Sequence, residues 1–404
     1  MRILFLADDV LFPTDNGGRV ELLGEVRSLL AAGHSVQLVV FHRRAMTPQD
    51  RERHRELVPK TIFVARWGFI SASIRSPLMP YQLSSRRPTS SVSPTRLGRP
   101  EVIVASHEWT MKAAQRWSRV TGAPILLRSH NNERAFLSSL ARHASGGHAA
   151  YLWAEGARLG LSVRRGLLRP VAAVGVISAE DAQAYRSFSG PVVPLPPVFP
   201  EVGPTLVRSV PPVDERIAFV GALDQSHTEK GLRWFVESVL PLIREQRPST
   251  CFVVAGRRSS ADLAAFLRRA EGVDFIGEVD DVSQLYLARV FVNPIFSGSG
   301  VNMKMGAPAV AGQPTVSTSY GVRGLGALAE AVTIADTPLD FARACRELLA
   351  DDALWQEHSQ RVRRAAEANA PERIAELWTQ LLERVSEMNS LTRFVREDLA
   401  PASR

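Results

Sequence analysis

Lys304 follows a run of small residues, Ser297-Gly298-Ser299-Gly300, which itself follows an apolar stretch from Val290 to Ile295. A strand, a glycine loop, a lysine and then a helix start is an arrangement that holds phosphate. Backbone N–H groups point at the anion, the helix dipole favours negative charge, and the ammonium adds a mobile cation. The candidate donors are the N–H groups of Gly298, Ser299, Gly300 and Val301, together with the Lys304 side chain. The tetrapeptide alone is also an ordinary surface turn. Gly221, Lys230 and Arg257 are further candidates for the same anion, though Lys230 reads more readily as a solvated helix start. In the first half, His107 and His130 each end an apolar stretch, Glu101 to Ser106 and Pro124 to Arg128. Such a histidine is an acid–base candidate, though a lone one is more often a plain hydrogen-bonder. Gly17, Gly18 and Arg19 sit in a turn-rich loop, Phe12 to Arg19, after the first apolar stretch.

The elements that must carry these residues alternate. Met1 to Asp8 reads as a buried strand, Val20 to Ala32 as an amphipathic helix ending at Gly33-His34, and Val36 to Phe41 as a second strand. That is a βαβ unit, whose ligands sit beyond the carboxyl ends of its strands. It lacks a G-x-G-x-x-G fingerprint, so a dinucleotide cofactor is not indicated. Ile74 to Pro100 reads as a long loop with helical pieces, and Tyr151 to Leu168 as a helix. Val171 to Ile177 reads as a strand, with Ser178 and Asp181 capping the next helix. Gly190 to Pro212 is proline-rich and reads as a linker. Strand-like stretches resume at Ile217 to Gly221, Ser249 to Gly256 and Val273 to Gly277, with a helix from Gly231 to Glu245. Asp340 to Met388 reads as mostly helical. The expected domains are 1–200 and 213–370, with helices at 371–404 crossing back to the first.

The 404 residues suffice for two or three cores. A net charge of +8, carried almost wholly by arginine, suits an anionic ligand or an anionic membrane surface. Nucleic acid is not expected, because no zinc-finger spacing or alternation of aromatic and basic residues occurs. Cys251 and Cys345 form neither a disulfide framework nor a zinc site and read as buried thiols. The adjacent acids Asp8-Asp9 and Asp280-Asp281 read as strand-end turns rather than metal ligands. No signal-like or membrane-spanning stretch is read, so the expectation is a cytoplasmic protein, peripheral at most to the inner face of the membrane.

The stretch from Phe291 to Leu325 resembles the nucleotide-sugar-binding segment of family 4 glycosyltransferases, which have the GT-B fold. Gly298, Gly300, Lys304, Ala311, Gly312, Pro314, Val316, Ser317, Thr318, Gly321, Gly324 and Leu325 match. The amino-terminal P-x-x-G-G-x-x-R-like loop is matched by Pro13, Gly17, Gly18 and Arg19. Arg128, His130, Asn131 and Glu133 match an R-x-H-N-x-E segment of one subgroup. Phe219, Gly221, Leu223, Trp234, Phe235 and Pro241 match another of its motifs, with His227-Thr228 in place of Pro-Asn. One departure stands out: Ala307 occupies the position of the family glutamate, and Pro308 follows it.

The resemblance implies an α/β protein of GT-B fold, two Rossmann-like domains facing across a cleft. It implies transfer of a sugar from a nucleotide sugar to an acceptor hydroxyl, with retention, without metal and without a cofactor. The acceptor is a sugar, a lipid-linked or a small molecule, as in glycan or natural-product biosynthesis. Donor-binding roles then fall to Gly221, Lys230, Arg257, Gly298, Ser299, Gly300, Val301 and Lys304. Catalytic roles fall to His107 and His130, and the acceptor side to Gly17, Gly18 and Arg19. Two rivals remain: a GT-B epimerase or hydrolase, and a catalytically silent GT-B protein that binds a sugar nucleotide or supports a partner enzyme.

Overall fold

The computed structural model describes residues 1–398 except 15, 44, 87–97, 208–209, 280 and 299. The chain divides into two compact units, 1–197 with 371–404, and 198–370.

The first unit is built on a seven-stranded sheet in the order β3-β2-β1-β4-β5-β6-β7. Its strands are β1 Arg2–Ala7, β2 Ser35–His42, β3 Thr61–Ala65, β4 Val102–Ser106, β5 Ile125–Ser129, β6 Val171–Val176 and β7 Val192–Pro194. Every neighbouring pair is parallel. The central strands are buried along both faces, which is why they read as unbroken apolar runs. The helices are α1 Gly17–Ala31, α2 Pro48–Leu57, α3 Phe69–Arg75, α4 Tyr81–Ser85, α5 Met111–Thr121, α6 Glu133–His143 and α7 Gly146–Arg164. The second unit has a six-stranded parallel sheet in the order β10-β9-β8-β11-β12-β13. Its strands are β8 Arg216–Ala222, β9 Cys251–Arg257, β10 Val273–Gly277, β11 Val290–Asn293, β12 Thr315–Ser317 and β13 Thr333–Ile334. Its helices are α8 Ser226–Trp234, α9 Leu240–Arg244, α10 Ala261–Arg269, α11 Gly306–Ala311, α12 Ala327–Ala331, α13 Pro338–Ala350 and α14 Asp352–Ala366. The last helix, α15 Pro371–Asp398, packs on α1, β4 and β6 of the first unit.

In both sheets the strand order reverses at one point, between β1 and β4 and between β8 and β11. Loops leaving the carboxyl ends of those strands diverge there and open a crevice. His107 follows β4 and Lys304 lies beyond β11, so the candidate residues stand at the two switch points.

Several elements differ from the sequence reading. Gly17 and Gly18 are not loop residues but the first turn of α1, because the Asn16 side chain caps the helix by accepting from the Arg19 N–H. The proline-rich stretch is not linker throughout. Val192–Pro194 forms edge strand β7, where a proline removes no ladder hydrogen bond that the sheet needs. Helix α8 starts five residues before Gly231, and it runs through a π turn, Phe235–Val239, into α9. Pro241 has no N–H to give back along the helix, which favours that irregularity. Helix α7 starts at Gly146 rather than Tyr151 and ends at Arg164. Ser178 and Asp181 do exchange capping bonds, but over a 3-10 turn, Asp181–Tyr185, rather than a full helix. Cys345 is buried and Cys251 only half-buried; both are free thiols.

Candidate functional site

In the second unit the site forms around Lys304. This residue sits in a 3-10 turn, Met303–Met305, that leads into α11. Its ammonium lies over the Phe219 ring, 4.9 Å from the centroid. It is also 3.4 Å from where a side chain on Gly221 would begin. Among the described residues no carboxylate lies within ion-pairing distance of Lys304. Burial without a counter-charge pushes its pKa down to about 8. His227, in the first turn of α8, is held neutral beside it. Burial and then the Lys304 charge push that imidazole down to about 4.

The glycine loop is clamped from two sides. Gly298 and Gly300 have φ of 129° and 72°, a backbone that side-chain-bearing residues disfavour. The Gly298 carbonyl accepts a 2.5 Å bond from the Tyr320 hydroxyl, and the His227 ring stands 3.4 Å from where a side chain on Gly298 would begin. Asn302 and Asn293 both donate to the Gly321 carbonyl, at 2.8 and 3.0 Å. These bonds fasten the loop after β11 to the loop after β12. Helix α8 lies tight on the end of β11: a Cβ on Gly231 would stand 1.9 Å from the Pro294 carbonyl. The Thr228 hydroxyl in that helix is buried without a partner among the described residues.

The structure thus gathers Gly221, Gly298 and Lys304, with half-buried Val301 in the same loop and Gly300 exposed at its turn. Ser299 lies outside the described residues. Lys230 is exposed on α8, and Arg257 pairs with Glu278 at 3.5 Å. Neither is joined to Lys304 by a described contact. Sequence reasoning missed His227, Phe219 and Tyr320 as parts of the site. The one available signal was the His227-Thr228 pair standing where the related motif has Pro-Asn. Ala307 is buried and its methyl group accepts no hydrogen bond, and the preceding Gly306 packs against Phe199.

In the first unit His107 and His130 come together, ring centroids 4.5 Å apart. His107 has φ of 62°, a strained backbone for a residue with a side chain. Burial opposes its charge, but Asp8, Glu133 and Glu108 overcome this and raise its pKa to about 9. Glu133 lies 3.2 Å from Nδ1, close enough to pair but without hydrogen-bond alignment. His130 is driven the other way, well below the usual histidine range, by burial, His107 and Arg128. Its Nε2 is 2.8 Å from Glu25. The Glu25 carboxyl is itself shifted upward, because burial outweighs the attraction of Arg128. The histidine pair therefore offers one charged and one neutral imidazole side by side, an acid and a base.

Behind the histidines is a network that sequence reasoning did not single out. Arg128 on β5 bonds to Glu25 and Glu21 of α1 and, at 2.7 Å, to the Leu195 carbonyl. All three charged side chains are buried. Asp8, read from sequence as a turn residue, accepts from Arg86 through its carbonyl at 2.8 Å and faces both histidines. Burial would raise its pKa, but His107 and Arg86 hold it below the usual range. Asp8, His107 and His130 bring ligand atoms within 4.8 Å of one another, as do Glu21, Glu25 and His130. A cation fits neither set well, since charged His107 belongs to the first and Arg128 already occupies the second. Arg19 is tied to Asp9 at 3.2 Å, while Gly17 and Gly18 are exposed at the start of α1.

These two switch-point sites on paired parallel sheets define a GT-B protein. Residues 214–351, the heart of the second unit, match the family described as Glycosyl transferases group 1. The chain is similar, 22% identical over 355 residues, to an uncharacterized 44.6 kDa protein in the cps region of Klebsiella pneumoniae. That match covers 85% of this chain and 89% of the relative. Among solved structures it is similar to HepE of Anabaena, determined in complex with UDP and glucose, with a TM-score of 0.64 and 14% identity. There the match covers 95% of this chain and 99% of the other. It is likewise similar to a sucrose-phosphate synthase from Thermosynechococcus elongatus, with a TM-score of 0.61, 17% identity and the same coverage. The fold is GT-B, and with a group 1 domain at its centre the protein is a glycosyltransferase. Among the described residues no helix is long and apolar enough to cross a membrane.

Proposed function

We propose that this protein moves a sugar from a nucleoside-diphosphate donor to an acceptor hydroxyl, with retention and without a metal or other cofactor. The observation that carries the reading is Lys304: a half-buried ammonium with no described carboxylate partner, beside a clamped glycine loop at the switch point. As the glycosidic bond breaks, the leaving diphosphate gains negative charge. A fixed cation and loop N–H groups stabilise that charge more than they stabilise the intact donor. His107 and His130, with Arg19 at the start of α1, supply the acceptor side. The acceptor is a sugar, a lipid-linked or a small molecule, and the site of action is the cytoplasm. HepE, a structure of similar fold, was determined with UDP and glucose, which supports a uridine donor.

Ala307 favours a second reading. A glutamate there would accept two hydroxyls of a ribose, and alanine accepts none. One lost charged hydrogen bond costs about 1.5–3 kcal/mol, which weakens donor binding without abolishing it. The first reading is therefore kept ahead of a silent binding protein. Incubation with a panel of nucleotide sugars, followed by mass spectrometry of nucleotide and sugar products, separates transfer, hydrolysis, epimerisation and silence. Lys304→Ala is expected to weaken nucleoside-diphosphate binding by about 1.5–3 kcal/mol in calorimetry without unfolding the chain. Ala307→Glu is expected to tighten it. If neither the native chain nor Ala307→Glu binds any nucleoside diphosphate, the reading fails.

A further inference from the structure

Helix α3 is built inside out. Only Ala72 of its seven residues is buried. Ile70 and Ile74, four residues apart and so on one face, are 72% and 75% exposed. Leu78, just beyond the helix, is 55% exposed. The helix is nevertheless fixed in place. Phe69 packs edge-on against Tyr81 and Tyr151, at 5.4 and 6.0 Å between centroids. A surface helix normally turns such residues inward, and an apolar patch held outward is a docking surface.

Charge says what docks there. Directly beside the helix lies a concave pocket of about 800 Å³. Its walls carry Arg75 from α3, Lys112 and Arg119 from α5, and Arg165 and Arg169 from the turn after α7. No Asp or Glu is among its lining residues. The Arg75 guanidinium stacks over the Trp67 ring at 4.5 Å, which holds it at the pocket edge. A second copy of this chain would bring the same cations against these, so self-association through this face is opposed by charge. A surface that is apolar at its centre and anionic around it meets both requirements.

We propose that α3 and the adjoining basic pocket form a docking surface for an anionic phospholipid membrane. Ile70, Ile74 and Leu78 enter the boundary between headgroups and acyl chains, and the pocket arginines take lipid phosphates. Each signal alone is weak. Two or three aliphatic side chains bind a bilayer marginally, and a cluster of cations binds in a salt-dependent way. Together they give reversible association that places a soluble domain at the lipid surface.

The test is co-sedimentation of the full chain with two kinds of vesicle: phosphatidylcholine alone, and equal parts phosphatidylcholine and phosphatidylglycerol. Association is expected with the second only, and high salt is expected to reverse it. The double variants Ile70→Ser/Ile74→Ser and Arg165→Glu/Arg169→Glu should each lower partitioning at least about tenfold. All four positions are exposed, so circular dichroism and the melting midpoint should stay unchanged. Should a variant misfold, the salt and lipid series on the native chain still decides. Three results would overturn the proposal: no partitioning onto phosphatidylglycerol, equal partitioning of native chain and variants, or a dimer that Ile70→Ser/Ile74→Ser dissolves. The assay contains no sugar nucleotide, so its failure leaves the glycosyl-transfer reading standing, and the converse holds.

Discussion

In the proposed role Lys304 must be charged to hold a diphosphate, yet burial works against the charge. With a pKa of about 8 in the free protein, the ammonium is largely intact at neutral pH and titrates away just above it. Nucleoside-diphosphate affinity should therefore be flat below about pH 7 and fall close to tenfold per unit well above pH 8. Binding itself favours the charged form, so the complex should take up protons near pH 8, seen as a buffer-dependent enthalpy in calorimetry. Lys304→Arg should keep its charge and flatten the profile. A flat profile for the native chain would remove Lys304 from the anion site. Glu21 gives a second pH effect, of a sign unusual for a carboxylate. Burial dominates there, opposed by Arg128 and reinforced by Glu25, and it lifts the pKa from 4.5 to about 7. Between those values the folded chain holds a proton that the unfolded chain has released, so stability falls as pH rises through this window. Glu21→Gln should lessen that loss, making the variant's relative stability higher at pH 8 than at pH 5 in denaturant melts.

Single elements place these side chains, and their tolerances are tight. Gly231 lets α8 rest on the end of β11; a methyl group there would meet the Pro294 carbonyl at 1.9 Å. Gly231→Ala should cost about 1–3 kcal/mol of stability by forcing the helix away. It should also weaken nucleotide binding, because His227 and the glycine loop shift with the helix. Unchanged binding in the folded variant would separate α8 from the site. The same element shows what a sequence does and does not disclose. Its apolar neighbours β8, β9 and β11 are evident as runs of buried β-branched and aromatic residues. Gly231 read as a helix start because glycine usually punctuates, whereas here it marks a close approach within the helix. Lys304 was legible because loop, lysine and helix are contiguous in the chain. The network behind the histidines was not. Glu21 and Glu25 lie four apart on α1 and look like a solvated face, while their partner Arg128 arrives from β5, over a hundred residues away. Strand β7 was hidden for another reason: prolines at its flanks mimic a linker, and an edge strand tolerates them.

At the scale of the whole chain, the first unit is discontinuous in sequence. Its sheet ends at β7, the chain then makes 198–370, and only afterwards does α15 return to cover α1, β4 and β6. The return is a core contribution. Ile374, Trp378, Leu381, Leu382 and Val385 are each no more than 2% exposed. Leu381 packs 3.3 Å from where a side chain on Gly175 of β6 would begin, and Thr379 reaches His34 at 3.3 Å. At roughly 1.5–3 kcal/mol per buried large apolar side chain, the helix is worth about as much as the entire net stability of an ordinary domain. The second unit is a single uninterrupted segment. Truncation after Ala370 should therefore unfold the first unit while residues 198–370 keep their structure. In hydrogen exchange, the amides of β1, β4 and β5 should lose protection in the truncated chain, and those of β8, β9 and β11 should retain it. The separate fragment 198–370 should melt cooperatively and bind nucleoside diphosphate through Lys304. A truncated chain whose β1 and β4 amides stay protected would mean that α15 is an accessory, and that the seven-stranded sheet closes its own core.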